Sequence, residues 1–441
     1  MPYNANNFPV APVIGSLLAA VCLGFALRAA RRKRLVDNLP TSKTTGVFMG
    51  LVELKGTAEA ETPLCSFLAE IPCVYHAWQV EEHWSKTVTE TYTDSKGNTG
   101  TRTRRESGWK TVAEGGDRMP FYLQDDYGII RIQPEGAELQ AAEVFNRTCG
   151  RADPLYYAKG PEDAIWDSDH ERRFSEQAIS LHAALYVMGQ AREREDIVAP
   201  EIARSDRAPI FLISMKSEKE ISSGQAWTYW ILAILGLALA VGGMFVQLRQ
   251  AGDVREDELQ LLLPAAAVFV GIWFLGWLWM AFNSMVELRQ RVRQAWSNVD
   301  VQLKRRSDLI PRLVEIVKGL RDYERTVQTE LARLRSELSA TAPGEPGPDP
   351  TACRASVTAI AEQYPELKTS GTFPALMQEL AQTEDRIALA RAYFNDIATF
   401  YNTRLEIIPD RYIAALGAMQ PQPVMAADNF ARQPVVVNLA K

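Results

Sequence analysis

The sequence predicts a multi-domain membrane protein in which an α+β, mostly β domain lies between transmembrane helices and an all-α antiparallel helical bundle follows. Three observations carry this prediction. The runs AWTYWILAILGLALAVGGMFV and LLLPAAAVFVGIWFLGWLWMAF contain no charge, and each has about the 20 residues that cross a hydrocarbon core. From Val74 the chain alternates, with Val74, His76, Trp78 and Val80 on one parity, which is the period of a half-buried strand. Beyond residue 283 apolar positions recur at three- and four-residue spacing, the pattern of packed helices. At 441 residues the chain is too long for one ordinary core. Its net charge of -6 offers no basic field for nucleic acid, so no nucleic-acid partner is expected.

The first span is assigned to residues 10–30, with Arg28 near its end and Arg31, Arg32, Lys33 and Arg34 directly after it. A signal peptide carries its charges before the apolar run, so this segment reads as an uncleaved anchor. The positive-inside rule then sets the N-terminus outside and residues 31–225 in the cytoplasm of a bacterial-type inner membrane. Residues 226–247 leave, the loop 248–260 lies outside, residues 261–282 return, and everything from 283 onward is cytoplasmic. The inverse orientation is the alternative. Gly236, Ala240 and Gly243, and likewise Ala267 and Gly271, repeat small residues at helical spacing, which suits close helix packing or oligomer contacts in lipid.

The polar stretch 31–225 reads as β-rich. After the Val74 strand, TVTETYTDSKGNTGTRTRR is a long hairpin or a loop before a second strand around Gly108 to Val112. Phe121 to Ile132 is a strand, turn and strand closed by a Pro-Glu-Gly turn at 134–136, with further strands at Ala184 to Met188 and Ile210 to Met215. Chemistry finds little support. His76 and His83 fall on opposite faces of one strand and cannot share a metal. Asp125 and Asp126 are expected as turn residues, and Arg102, Arg104 and Arg105 at a solvated loop tip, with contact to acidic lipid headgroups as the alternative. The five cysteines form no CxxC pair, and Cys65 and Cys73 would bridge only in an oxidising compartment. No metal and no cofactor are expected.

The blocks PLCSFLAEIPCVYHAWQVEEHW, GWKTVAEGG, PFYLQDDYGIIRIQPEGAEL, RRFSEQAISLHAALYVMGQAR and APIFLISMKSEKEI resemble the GIDE domain of mitochondrial-type membrane ubiquitin ligases. The resemblance covers most of residues 46–221. Those ligases add a RING finger whose Cys/His pattern is absent from this sequence, so the resemblance does not imply ubiquitin transfer. It does imply a GIDE-like fold between spans.

In residues 283–420, Leu288, Val292, Trp296, Val299 and Leu303 form one stripe, resumed by Ile310, Leu313, Val317 and Leu320 through Pro311. A kinked helix is expected there. A turn is assigned near Gly319 to Glu324, a loop to TAPGEPGPDP and a short helix to Ala352–Gln363. A long helix starts near Pro374 and ends before Pro409, ahead of a tail at 421–441. The blocks VELRQRVRQAWSNVDVQLKRRSDLIPRLVEIVKGL and TFPALMQELAQTEDRIALARAYFNDIATFYNTRLEIIP resemble the two signatures of the LemA family. That family is one of membrane-anchored helical bundles. The resemblance singles out Trp296, Asp300, Leu303, Arg306, Asp308, Pro311, Glu384, Arg391, Asn395 and Asn402 as residues that hold the bundle together, with Asp308 capping the segment that Pro311 begins. Single-anchor LemA proteins depart from this chain, which places a second domain and two more spans ahead of the bundle.

The functional expectation is a non-enzymatic membrane scaffold that forms a homo-oligomer and organises or remodels the bilayer. A membrane quality-control adaptor, or ligase-like factor, that presents substrates to a protease or other enzyme is the alternative, with a membrane protein or protease as its partner.

Overall fold

The computed structural model describes residues 10–93, 99–194, 199–206, 208–250, 258–318 and 373–425. The chain divides into two compact units, Thr41–Ser217 and a helical unit built from Met1–Pro40 with Glu218–Lys441.

The first unit holds twelve strands among its described residues. They are β1 (Gly50–Glu59), β2 (Leu64–Cys65), β3 (Pro72–Thr93), β4 (Thr99–Arg118), β5 (Phe121–Gln124) and β6 (Ile129–Ile132). There follow β7 (Glu138–Gln140), β8 (Ala142–Gly150), the single helical turn α2 (Leu155–Ala158), and β9 (Ser168–Ser180). Last come β10 (Ala184–Glu193), β11 (Pro200–Ala203) and β12 (Leu212–Ser214).

Strands β1, β5, β6, β11 and β10 pair in that order, and β1 pairs back onto β10, so five strands close into a ring. Closure removes the free edges that an open sheet would leave. β10 serves both sides because it is long: it meets β1 from Gly50↔Ala191 to Thr57↔Ala184, and β12 and β11 on its other edge. Val52, Leu54, Phe121, Leu123, Ile130, Ile132, Leu185, Val187 and Ile213 are buried together, as period-2 strands with one inward face require. The Pro-Glu-Gly turn is present. Ala137 N–H donates to the Pro134 carbonyl at 3.0 Å, with Gly136 at φ 77°, the left-handed position where glycine has no Cβ to clash.

A second sheet runs β2-β3-β9-β8, with β4 on the far side of β3. The β3–β4 pair runs from Tyr75↔Arg118 to Thr93↔Thr99 with one register shift, between Val80 and Glu81. The Thr- and Arg-rich stretch is therefore a hairpin, not a loop, and its second strand begins at Thr99, well before Gly108. Alternating β-branched threonines explain the difference, since they suit a pleated two-stranded ribbon even without a buried face. Asp125 accepts from Thr44 N–H and Oγ1–H and from the Tyr127 and Gly128 N–H groups, at 2.6 to 2.9 Å. That is the turn role the sequence suggests.

In the helical unit α1 (Val10–Asp37), α3 (Glu218–Gln250) and α4 (Glu258–Lys318) are long and apolar enough to cross a membrane. α5 (Phe373–Glu406) packs against α4, and α6 (Asp410–Leu416) follows. Helices begin or end beyond the apolar runs because the flanking residues, Arg31 to Arg34 and Glu218 to Glu220, are themselves adequate helix formers.

The third apolar run, residues 261–282, and the first bundle helix, from residue 283, form one helix, 61 residues long. No glycine or proline interrupts residues 277–310, and helical propensity carries the backbone across, through the Ser284-x-x-Glu287 capping pattern. Asp308 accordingly lies in the helix interior, exposed, and caps nothing. The turn near Gly319 to Glu324, the TAPGEPGPDP loop and the Ala352–Gln363 helix lie outside the described residues.

Candidate functional site

The small residues of the spans divide into two groups. On α3, Gly236 and Gly243 face inward. A Cβ at Gly243 would stand 2.7 Å from the Ala11 carbonyl oxygen of α1, and one at Gly15 would stand 2.6 Å from the Leu239 carbonyl. A Cβ at Gly236 would meet the Phe269 ring at 2.9 Å. Ala240 lies beside them against the buried cluster of Ala19, Leu23 and Phe269. In lipid such backbone proximity supplies the van der Waals contact that apolar burial cannot. This face is used within the chain. On α4, Ala267 is exposed and nothing lies within 4 Å of a Cβ at Gly271, so that pair points away from the bundle.

Where α1 ends, a polar junction ties it to the other helices. Asp410, 1% exposed, receives the Arg34 guanidinium at 3.0 and 3.4 Å and that of Arg404 at 3.4 Å. Arg404 Nε also donates to Asn38 Oδ1 at 3.0 Å, and Asn38 Nδ2 to Ser284 Oγ at 3.2 Å. Asp37 accepts from Ser222 at 2.6 Å and from Lys33. A carboxylate so deeply buried is tolerable only when paired and hydrogen-bonded, and two guanidinium groups meet that need. The exposed Arg31–Glu287 pair at 3.0 Å adds little. Beside it, Ile413 and Ala414 of α6 pack on Ala281 and Met285 of α4. The arginine cluster that served only as a topology marker in the sequence is thus also a structural lock. Asn38, Arg404 and Asp410 were missed, because hundreds of residues separate Arg34 and Asn38 from Arg404 and Asp410 and leave no spacing signal.

Along the bundle Leu288, Val292, Ala295, Val299 and Leu303 face Leu380, Ile387, Ala390, Phe394 and Ile397, all buried. Trp296 meets Phe394 edge to face at 5.6 Å between centroids. Leu303, Arg306 and Glu384 are buried, Arg391 is half-buried, and Asp300 is exposed. Pro311 lies within the α4 backbone. Tyr401 is fully buried, its hydroxyl has no partner among the described residues, and burial raises its phenol above the usual range.

Asn395 and Asn402 do something the sequence did not suggest. Asn402 Nδ2 donates to the Gln422 carbonyl at 2.8 Å while its Oδ1 accepts the Gln422 N–H at 2.8 Å. Asn395 does the same for Met425, at 3.2 and 2.8 Å. Each amide engages both polar groups of one tail residue. At roughly 1 kcal/mol per neutral hydrogen bond, the four hold the tail to α5 by a few kcal/mol.

The β unit holds its own buried charges. Glu82 and Arg172, both 0% exposed, pair at 3.0 Å. Ser168 and Tyr156 hydroxyls donate to Glu82, and Arg172 also donates to the carbonyls of Tyr156, Pro161 and Asp163 at 2.7 to 3.0 Å. Burial alone would raise the Glu82 carboxyl, but these donors hold it below its ordinary value. Glu176 accepts the N–H groups of Phe67, Leu68 and Ala69 at 2.7 to 2.8 Å, fixing that loop, with His76 Nδ1 at 3.2 Å. His83 instead meets Asp169 at 2.7 Å, so the two histidines stand apart. Cys73 is buried and Cys65 exposed, both as free thiols, and burial with the neighbouring Glu176 pushes the Cys73 thiol up to about 11. Among the described residues no group of three or more His, Cys, Asp or Glu side chains is placed to hold a metal.

Comparison with known proteins adds the following. Residues 295–439 match the LemA family model, and residues 89–247 match the GIDE model, described as E3 ubiquitin ligase. The chain is similar to the magnetosome protein MamQ of Magnetospirillum gryphiswaldense, with 26% identity over 191 residues, covering 36% of this chain and 70% of that protein. Magnetosome protein MamQ 2 of Paramagnetospirillum magneticum is 23% identical over 184 residues, covering 34% of this chain and 67% of that protein. Protein LemA of Metamycoplasma hominis is 25% identical over 128 residues, 28% of this chain and 58% of that protein. These relatives support the LemA part.

Proposed function

We propose that this chain, in which a LemA-family segment follows a GIDE segment, is an integral membrane scaffold that assembles with copies of itself and organises or remodels the bilayer. The observation that carries the reading is α4, where one uninterrupted helix is both an apolar span and the first strut of the bundle. A lever of that kind transmits the geometry of the bundle directly to the lipid-facing helices. The likeness to magnetosome proteins supports membrane association.

The chain is proposed to act without catalysis and without a cofactor, its partners being the bilayer and further copies of itself. Asp37 bonds Ser222 and Asn38 bonds Ser284, which supports placing the C-terminal end of α1, the first turns of α3 and the middle of α4 on one side of the membrane. With Arg31, Arg32, Lys33 and Arg34 at that end, the positive-inside rule favours the cytoplasm of a bacterial inner membrane. Reconstitution of the full chain into anionic vesicles, viewed by electron cryomicroscopy, tests the reading. Protein-dense zones of uniform curvature or flattening are expected. Vesicles indistinguishable from protein-free ones at high protein density would overturn it.

One observation favours the adaptor reading. Beyond Trp84, β3 pairs with β4 alone, and β4 pairs only with β3 among the described residues, so the outer hairpin presents strand edges to which an extended client could add. Prolines at alternate β4 positions 101 and 103 should abolish client capture if that edge is used.

A further inference from the structure

The reciprocal hydrogen bonds of Asn395 and Asn402 read only main chain. These residues are seven apart on α5, a rise of about 10 Å at 1.5 Å per residue. Gln422 and Met425 are three apart, and three extended residues at about 3.3 Å each span the same length. The tail runs antiparallel to the helix, and its repeat matches that of the two amides. Pro421 and Pro423 hold it extended and lack N–H groups, so the donors fall where the asparagines need them. The tail's own side chains are little used: Pro421, Pro423 and Val424 are exposed. Any chain segment with this backbone spacing satisfies the site.

The turn that folds the tail back is strained. α6 ends with Ala418 N–H donating to the Ala415 carbonyl and Met419 N–H to the Ala414 carbonyl, a helix stop that puts its left-handed residue at Ala418, φ 46°, where glycine is usual. Gly417 sits one position too early. A short, strained hinge ahead of a segment held by exchangeable main-chain bonds is the arrangement that favours swapping between identical chains.

We infer that the Asn395–Asn402 face of α5 is a peptide-backbone site that receives residues 420–425 of a second copy of this chain. Opening the hinge relieves the strain at Ala418 while the neighbour's tail restores all four hydrogen bonds. This rests on the self-assembly reading and supplies it with a contact.

A complementation experiment with full-length protein in nanodisc-forming detergent tests it. N395A/N402A removes the site and leaves the tail; Gln422→Pro with Met425→Pro removes both tail donors and leaves the site. Each is made with two affinity tags, and folding is checked by circular dichroism. Capture of N395A/N402A by Q422P/M425P at least fivefold above either like pair, and comparable to wild type with wild type, is expected. Equal capture in every pairing would overturn tail exchange and leave self-assembly standing. Capture in no pairing, wild type included, would overturn both.

Discussion

At the scale of single residues, the buried charges of the β unit make the sharpest predictions. Removing one partner of the Glu82–Arg172 pair leaves the other buried and uncompensated, so Glu82→Gln should destabilise by about 3–5 kcal/mol, read by chemical denaturation. The pH dependence follows from the depressed Glu82 carboxyl. Its folded value lies below its unfolded one, so its contribution is complete above the ordinary carboxylate range, near pH 4.3 or so, and is lost as pH falls through the folded value. Wild type and Glu82→Gln should therefore differ most at neutral pH and converge on acidification. Tyr401 gives the opposite case. Its hydroxyl is buried without a partner among the described residues, so Tyr401→Phe should leave stability unchanged or raise it by up to about 1 kcal/mol, seen as a higher thermal midpoint. Glu82 was legible in principle: it shares the parity of Val74, His76 and Val80 on β3, as Arg172 and Glu176 share that of Phe174 on β9. A charge on a buried parity is the signal, but it announces burial without naming the partner. Asp410 with Arg34 had no such signal, since only the folded helices bring them together.

At the scale of elements, the apolar runs were legible because a chain in lipid has few ways to satisfy its backbone other than a helix. The packing of those helices was half legible. The α3 stripe of Gly236 and Gly243 is used, and its counterpart, Gly15 with Ala19 on α1, carries the same small-residue spacing. Substituting Gly243 with valine should force α1 and α3 apart and cost about 1–3 kcal/mol, whereas Gly271→Ala, with open space around it, should change nothing; unfolding in detergent compares them. Ala418→Gly should relieve the left-handed turn after α6 and stabilise the helical unit by about 1 kcal/mol. The continuity of α4 went unread because hydropathy changes at Phe282 while helical propensity does not. Solvent preference and backbone preference are separate signals, and only the first was visible as a boundary. The Asn395 and Asn402 contacts went unread because a main-chain contact leaves no trace in the sequence of the segment contacted.

At the scale of the whole molecule, a membrane helix set and a LemA-type bundle share one helix and one polar junction, while the β unit carries its own closed core. The central claim is that this protein works by assembling with itself in a bilayer. The mass of the full chain in nanodiscs, by light scattering checked with electron microscopy, tests it most directly. A single population of many subunits is the predicted result, and a monodisperse monomer or dimer would contradict it.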